Sequence, residues 1–133
     1  MILGVDPGER RVGVALADTE TRIARPLEVI DTQRQNAVDR IEALVKEIGA
    51  TTVVVGRPTS LSGSSGQAVA RQRELIDALR TRLEVAVREY DERLTTVVAT
   101  QALRAGGARR ARRRELVDAV AAQVMLQGYL DSE

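Results

Sequence analysis

Acidic side chains stand at three widely separated places where they could do chemistry. Asp6 lies in the run Gly-Val-Asp-Pro-Gly, at the end of an apolar segment typical of a central strand. Asp91 and Glu92 directly follow a second candidate strand, and Asp118 lies among small apolar residues near the start of a predicted helix. Each acid alone has an ordinary explanation, as a turn residue, a solvated loop residue or a helix-dipole partner. If the three places converge, their oxygen atoms form a site suited to Mg²⁺ or Mn²⁺.

The composition leaves few other chemistries open. The 133 residues include no His and no Cys, which excludes His-based triads, thiol nucleophiles, disulfides and zinc sites built on imidazole or thiolate. Carboxylate-bound divalent ions need neither residue, and such ions clamp phosphodiesters, activate water and stabilise a leaving oxygen. A metal-dependent phosphodiester hydrolase therefore fits the available side chains.

Positive charge is concentrated in one segment. The formal net charge is only +1, from 20 basic and 19 acidic residues, but residues 93–114 contain several Arg and no acid. Such a block is typical of a flexible arm that binds phosphate backbones, and the alternative is a solvated helix face or loop. The Gly- and Ser-rich loop from Arg57 to Gly66 precedes a predicted helix, so it is either a phosphate-binding loop or a plain flexible one.

Hydrophobic patterning predicts the elements that must position these residues. The predicted strands cover residues 2–5, 12–17, 23–30, 51–55 and 85–90, with Pro26 indicating an edge or irregular strand. The predicted helices cover residues 33–48, 67–83, 95–104 and 114–130, and the Gly-Gly-containing segment 105–113 is expected to be mobile. In the second helix, we expect Val69, Leu75, Ile76 and Leu79 to point inward.

The order of these elements predicts one α/β domain over residues 1–133, with a mixed five-stranded sheet flanked by helices. No stretch approaches the roughly 20 apolar residues of a membrane span. The N-terminus lacks the features of a signal peptide. We therefore expect a cytoplasmic protein with no membrane partner.

Four groups of residues, in order along the chain, resemble the motifs of one protein family. The first two are residues 4–15 (Gly-Val-Asp-Pro-Gly-Glu-Arg-Arg-Val-Gly-Val-Ala) and residues 55–58 with 63–66 (Val-Gly-Arg-Pro and Gly-Ser-Ser-Gly). The most distinctive is the run Asp-Glu-Arg-Leu-Thr-Thr at 91–96, and the last is the helix at 118–130. They cover essentially the whole chain and are similar to the YqgF family, also called RuvX.

The resemblance implies a ribonuclease H-like fold and a metal-dependent nuclease that processes the 5′ end of pre-16S ribosomal RNA. It implies that Asp6, Asp118 and one of Asp91 and Glu92 are catalytic acids that bind Mg²⁺ or Mn²⁺. Glu9 departs from the family pattern, in which a Lys is usual. The expected partner is structured RNA, held by Arg residues near the acids and in the basic segment. These are Arg10, Arg11, Arg57, Arg93, Arg109, Arg110, Arg112, Arg113 and Arg114.

Three other functions are compatible with the sequence. The same fold could resolve Holliday junctions in branched DNA, which needs a homodimer because two strands are cut symmetrically; the sequence leaves monomer and homodimer open. The Gly-x-Asp-x-Gly run also resembles the first phosphate loop of nucleotide-binding proteins of the actin and hexokinase type, but those proteins carry two such domains. The third is an RNA-binding module that keeps its acids for structure.

Overall fold

The computed structural model describes residues 1–57, 65–91 and 110–132, and only the backbone of residues 57, 65, 91 and 110–117. The described elements, in chain order, are β1 Ile2–Pro7, β2 Arg11–Ala17, β3 Ala24–Asp31, α1 Ala37–Ile48, β4 Thr52–Arg57, α2 Ser65–Arg82, β5 Ala86–Asp91 and α3 Arg110–Ser132. The predicted helix over 95–104 lies outside the described residues. None of the described helices is long and apolar enough to cross a membrane.

The strands form one mixed sheet in the order β3-β2-β1-β4-β5. β1, β2 and β3 form an antiparallel meander, because short turns join them. β4 pairs in parallel with β1, and β5 pairs in parallel with β4. Parallel neighbours need a crossover connection, which α1 and α2 supply. The structure confirms the predicted α/β class and five-stranded mixed sheet, and it makes β1 the central strand.

β3 is an edge strand with an irregular register, in agreement with the edge or irregular strand predicted from its proline. Pro26 pairs with Ala15, and the β2–β3 register shifts between Val14 and Ala15. Pro has no N–H to donate to a ladder, so it is tolerated where one side of the strand has no neighbour.

The first helix starts later than predicted. α1 begins at Ala37, and Asn36 is its N-cap, with the side-chain oxygen accepting a hydrogen bond from the Asp39 amide at 3.0 Å. Before the cap, the amides of Arg34 and Gln35 donate to the carbonyl of Asp31 and close a turn. The prediction of a helix from residue 33 was wrong because the polar run before Ala37 carries no apolar marker of where the turn ends.

The last helix starts earlier than predicted. α3 begins at Arg110, so the expectation of a mobile segment was wrong for residues 110–113, and the predicted start at 114 was four residues late. Arg has a high intrinsic helix propensity. A dense run of Arg is therefore compatible with helix, and its charge alone does not indicate an irregular segment.

The two faces of the sheet carry separate apolar layers. Leu3 and Val5 of β1 belong to the layer that includes α1 and α2, whereas Val54 of β4 packs with Leu126 of α3. Ile76 and Leu79 of α2 are fully buried as predicted. Val69 was predicted to point inward and is 41% exposed, because it precedes the part of α2 that contacts the buried layer.

Two glycines let the backbone of α3 lie directly against the sheet. A Cβ atom at Gly4 would stand 2.9 Å from the Cβ of Leu126. A Cβ atom at Gly13 would stand 2.0 Å from the carbonyl oxygen of Asp118, a distance that no side chain can occupy. The position of α3 over β1 and β2 therefore requires residues without a side chain at these points.

Two glutamines of α3 fasten the beginning of β3. Gln127 Oε1 accepts from the amide of Ala24 at 2.8 Å, and Gln127 Nε2 donates to the carbonyl of Arg22 at 3.0 Å. Gln123 Nε2 donates to the carbonyl of Ala24 at 3.1 Å. These side chains satisfy backbone groups at the sheet edge and fix the position of α3 along its axis.

Gly13→Ala should lower the free energy of unfolding by about 3 kcal/mol, the upper part of the range for inserting atoms into a packed contact. The new methyl group meets a helix backbone carbonyl, which cannot rotate away as a side chain can. Urea denaturation followed by circular dichroism measures the loss. Gly66→Ala is the control, because nothing lies within 4 Å of a Cβ there. Equal stability of Gly13→Ala and the wild type would contradict the close approach.

Candidate functional site

Asp6 lies on the sheet face that α3 covers. It is the penultimate residue of β1, and its cross-strand partner on β2 is Gly13. Alternation along β1 puts its side chain on the same face as Gly4, which faces Leu126 of α3. The sequence placed Asp6 just after the strand, whereas the structure places it inside the strand. Ladder pairing therefore fixes its backbone.

Asp118 reaches the same region from α3. Its carbonyl oxygen lies over Gly13, the residue opposite Asp6. Directly opposite residues of an antiparallel pair have Cα atoms roughly 4.5–5.5 Å apart. The structure thus brings two of the predicted acids, from opposite ends of the chain, to one small region. Asp118 lies more than two turns inside α3, so its alternative explanation as a first-turn acid favoured by the helix dipole does not apply.

Arg11, the first residue of β2, forms an ion pair with Asp118. Its Nε lies 2.8 Å from Asp118 Oδ2, and the two side chains are 34% and 29% exposed. That oxygen is buried and accepts no well-aligned hydrogen bond from the residues the structure describes. Burial raises the pKa of Asp118 above its usual value, and the Arg11 guanidinium offsets part of the rise. A buried oxygen with incomplete hydrogen bonding is a position suited to a cation.

The third predicted acid position lies at the end of β5. Asp91 is the last residue of that strand and is in backbone register with Arg57 at the end of β4. Because adjacent strands lie about 4.8 Å apart, this end of β5 is two strand spacings from β1. Only the backbone of Asp91 is described, and Glu92 lies outside the described residues. Among the described residues, no group of three or more acids is placed to hold a metal ion, so the three-acid site stays a prediction.

β5 presents alternate side chains to the two helix layers. The Tyr90 ring packs edge-to-face on Tyr129 of α3, with centroids 6.0 Å apart and an interplanar angle of 86°. Arg88 Nη1 donates to the Tyr129 hydroxyl at 3.2 Å. Between them, Glu89 pairs with Arg73 of α2 at 3.0 Å. The even-numbered side chains described on β5 therefore lie on the α3 face, as Asp6 does.

The predicted substrate-binding arginines divide into a described and an undescribed group. Arg10 is exposed in the turn between β1 and β2, next to Arg11. Only the backbone is described for one residue at the end of β4 and four at the start of α3, and two more lie outside the described ranges. These are Arg57; Arg110, Arg112, Arg113 and Arg114; and Arg93 and Arg109. The Gly- and Ser-rich loop is described only at its two ends.

Asp118 and Arg11 could each be identified from the sequence, but their pairing was not predicted. A signal for the pairing was present, because Arg11 is two residues before Gly13 and alternation puts both on one face of β2. It becomes informative only once α3 is known to cover that face. The predicted convergence of Asp6 with Asp118 likewise depended on where α3 lies.

Comparison with known sequences identifies close relatives along the whole chain. A family model described as "RuvX: Holliday junction resolvase" matches residues 1–132. A protein of Chloroflexus aggregans named "Putative pre-16S rRNA nuclease" is 46% identical over 132 residues, which cover 98% of this chain and 93% of the relative. A protein of the same name from Thermobifida fusca is 46% identical over 139 residues, covering 98% of this chain and 87% of the relative.

Comparison with solved structures supports the same fold. The Thermus thermophilus RuvC structure in complex with a Holliday junction substrate has a TM-score of 0.60 at 19% identity, covering 98% of this chain and 94% of that one. The Fowlpox virus resolvase in complex with Holliday junction DNA has a TM-score of 0.55 at 12% identity, covering 98% and 97%. At these identities the likeness concerns the fold, which is the ribonuclease H-like fold that the family resemblance implied.

Asp118→Asn should make the metal-free protein more stable at about pH 7 and leave it unchanged near pH 3, below the usual pKa of about 3.9 for an unfolded Asp. Because the folded-state pKa is raised, the stability from protonated Asp118 is fully present at low pH. It is lost as the pH rises through the raised pKa, so the ionised side chain costs stability at neutral pH. Thermal unfolding in the presence of a chelator at both pH values measures the difference.

The matched control is Asp77→Asn on the exposed surface of α2, which should change stability by no more than about 0.5 kcal/mol at either pH. A lower melting temperature for Asp118→Asn than for wild type at neutral pH would mean that the Arg11 ion pair outweighs the cost of burial.

Proposed function

This chain belongs to the RuvX family, and from that membership we propose that it is a nuclease that hydrolyses phosphodiester bonds with the help of a divalent metal ion. The observation that carries the proposal is the convergence of Asp6 and Asp118 on either side of Gly13. Two partly buried carboxylates on one face, with a guanidinium beside them, match the groups that hold Mg²⁺ or Mn²⁺ against a phosphodiester.

The donor set fits a hard divalent cation. Asp6 and Asp118 offer only oxygen ligands, and the chain has no His or Cys that would favour a softer metal. The buried Asp118 Oδ2 has Arg11 Nε at 2.8 Å but no well-aligned hydrogen bond among the described residues, so a cation there would add to the ion pair. When bound, such an ion lowers the pKa of a water for attack and stabilises the leaving oxygen.

We assign the third ligand to Glu92 rather than Asp91. Side chains two positions apart in an extended chain lie on the same face, and Tyr90 lies on the α3 face with Asp6. By this alternation Glu92 would share the α3 face with Tyr90. Position 91 would share the opposite face with Glu89, which pairs with α2.

The Arg11 guanidinium is placed to act on the substrate as well as on Asp118. It forms an ion pair with the Asp118 carboxylate at 2.8 Å. A phosphodiester brought to the acids offers oxygens that match the fork of guanidinium donors. Arg11 would then bind the phosphate and counter the charge that builds up on it during the reaction.

The substrate supported best is precursor ribosomal RNA. The relatives at 46% identity are named for pre-16S rRNA, and this role would place the protein in the cytoplasm. The second candidate is a Holliday junction, because the family description names that activity. The resolvase structures that match share too little sequence to carry their substrate over.

A direct comparison of the two substrates tests this order. Purified protein with Mg²⁺ should cut a 16S precursor fragment with a 5′ extension and leave a four-way DNA junction intact, and a chelator should stop the reaction. Symmetric cutting of the junction, together with a homodimer by gel filtration, would instead establish the resolvase.

Asp6→Asn should lower Mg²⁺-dependent cleavage by at least about 100-fold, the scale on which losing one preorganised electrostatic group acts. RNA binding in a chelator should stay intact, because the variant removes a negative charge. Asp77→Asn on α2 is the matched control and should cut normally. Cleavage by Asp6→Asn at the wild-type rate would exclude the metal site at this position.

Glu92→Gln should reduce the cleavage rate at least about tenfold more than Asp91→Asn, because only the former removes the assigned ligand. The rates are compared at saturating Mg²⁺, and the Mg²⁺ concentration for half-maximal activity is measured for both variants. A larger defect in Asp91→Asn would reverse the assignment.

A further inference from the structure

A groove of about 550 Å³ lies beside the acid site and is lined by guanidinium groups. Arg10, Arg11 and Arg34 border it, together with one acid, Asp31, and the α3 residue Ala119. Ala119 directly follows Asp118, and Arg11 pairs with Asp118 at 2.8 Å. The groove therefore opens next to the carboxylates proposed to hold the cation.

Two turns of the chain are tied together to build this groove. The amide of Thr32 donates to the carbonyl of Arg10 at 2.9 Å, and the Thr32 hydroxyl donates to the same oxygen at 2.8 Å. The turn after β3 then closes through the amide of Arg34 onto the carbonyl of Asp31. Arg10 and Arg34 thus come from separate turns whose backbones are fixed relative to each other.

The groove carries a surplus of positive charge. In the described part of the chain, Arg10 has no ion-pair partner, and Arg34 is 87% exposed with Asp31 only at 3.8 Å. Asp31 also accepts a hydrogen bond from the amide of Gln33 at 3.0 Å, so part of its charge is used within the turn. An exposed pair at such a distance contributes little, which leaves the guanidinium donors available for an anion.

We propose that this groove is a phosphate-binding subsite that holds the substrate strand next to the phosphodiester that is cut. A strand with one phosphate at the carboxylates continues past Arg11, and its next phosphates lie between Arg10 and Arg34. Guanidinium groups bind phosphate oxygens in pairs, and their charge does not depend on pH in the physiological range. The inference rests on the proposed nuclease function and gives Arg34 a part in positioning the substrate.

The test compares two double variants that each remove two positive charges. Arg10→Ala/Arg34→Ala removes the two groove guanidinium groups that are not engaged with Asp118. Arg25→Ala/Lys46→Ala removes two exposed charges from the far end of β3 and from α1. Binding to a single-stranded RNA from the 16S 5′ flank is measured over a range of salt concentrations in a chelator, so that no cleavage occurs.

The groove variant should lose about 0.7 from the slope of log K against log salt for each phosphate contact removed. The control should keep the wild-type slope. Thermal unfolding of both variants checks that these surface changes leave the fold intact. Equal slopes and affinities for the groove and control variants would overturn the subsite, while a wild-type protein that binds no nucleic acid would overturn the nuclease function itself.

Methylphosphonate substitution locates the contact along the strand. Oligonucleotides with one neutral linkage at each successive position should bind the wild type more weakly when the neutral linkage lies one or two positions from the cleaved bond. The groove variant should no longer distinguish those positions, whereas the control should still do so. An unchanged pattern in the groove variant would show that the phosphates lie elsewhere.

Discussion

The contact between α3 and Gly13 is the constraint on which the described site depends. A Cβ on Gly13 would stand 2.0 Å from the carbonyl oxygen of Asp118, so the helix backbone lies as near to β2 as the chain allows. The residue that makes this contact also carries a site carboxylate. Gln123 and Gln127 fix the helix along its length through backbone groups at the start of β3. Helix packing and the position of the acid are therefore set by the same contacts.

The partly buried carboxylate of Asp118 costs folding stability when it is ionised. Burial raises the pKa of Asp118, and Arg11 supplies a positive charge that only partly offsets the cost. The proposed divalent cation would bring more charge to the same oxygens than a guanidinium does, and would offset more of this cost. The chain has no His or Cys that could share this role. Because burial raises the pKa of Asp118, a proton there would compete with the proposed cation.

The sheet could be predicted from the sequence because its signals are local. Apolar runs that end in turn residues located the five strands, and Pro26 located an edge. The predicted helix boundaries were wrong where a single hydrogen bond sets the boundary, or where the same charge pattern is typical of both a helix and a mobile segment. The cap at Asn36 is one side-chain hydrogen bond, and the Arg-rich start of α3 has the composition of both a helix and a mobile arm. The prediction that Val69 points inward was wrong because helical periodicity does not show which turns of the helix contact the sheet.

Residue patterns identified the acids one by one, whereas only the family resemblance implied that they converge. Asp6 was conspicuous because it follows an apolar run, and Asp118 because it is charged among small residues. Whether they meet depends on α3 crossing β1 and β2, a long-range contact that periodicity does not encode. Gly4 and Gly13, which alternate with buried residues on two paired strands, indicate a close approach to another element. Which element approaches them became clear only from the position of α3. Arg11 lies two positions from Gly13, so it shares the strand face that α3 covers and contacts that helix through Asp118.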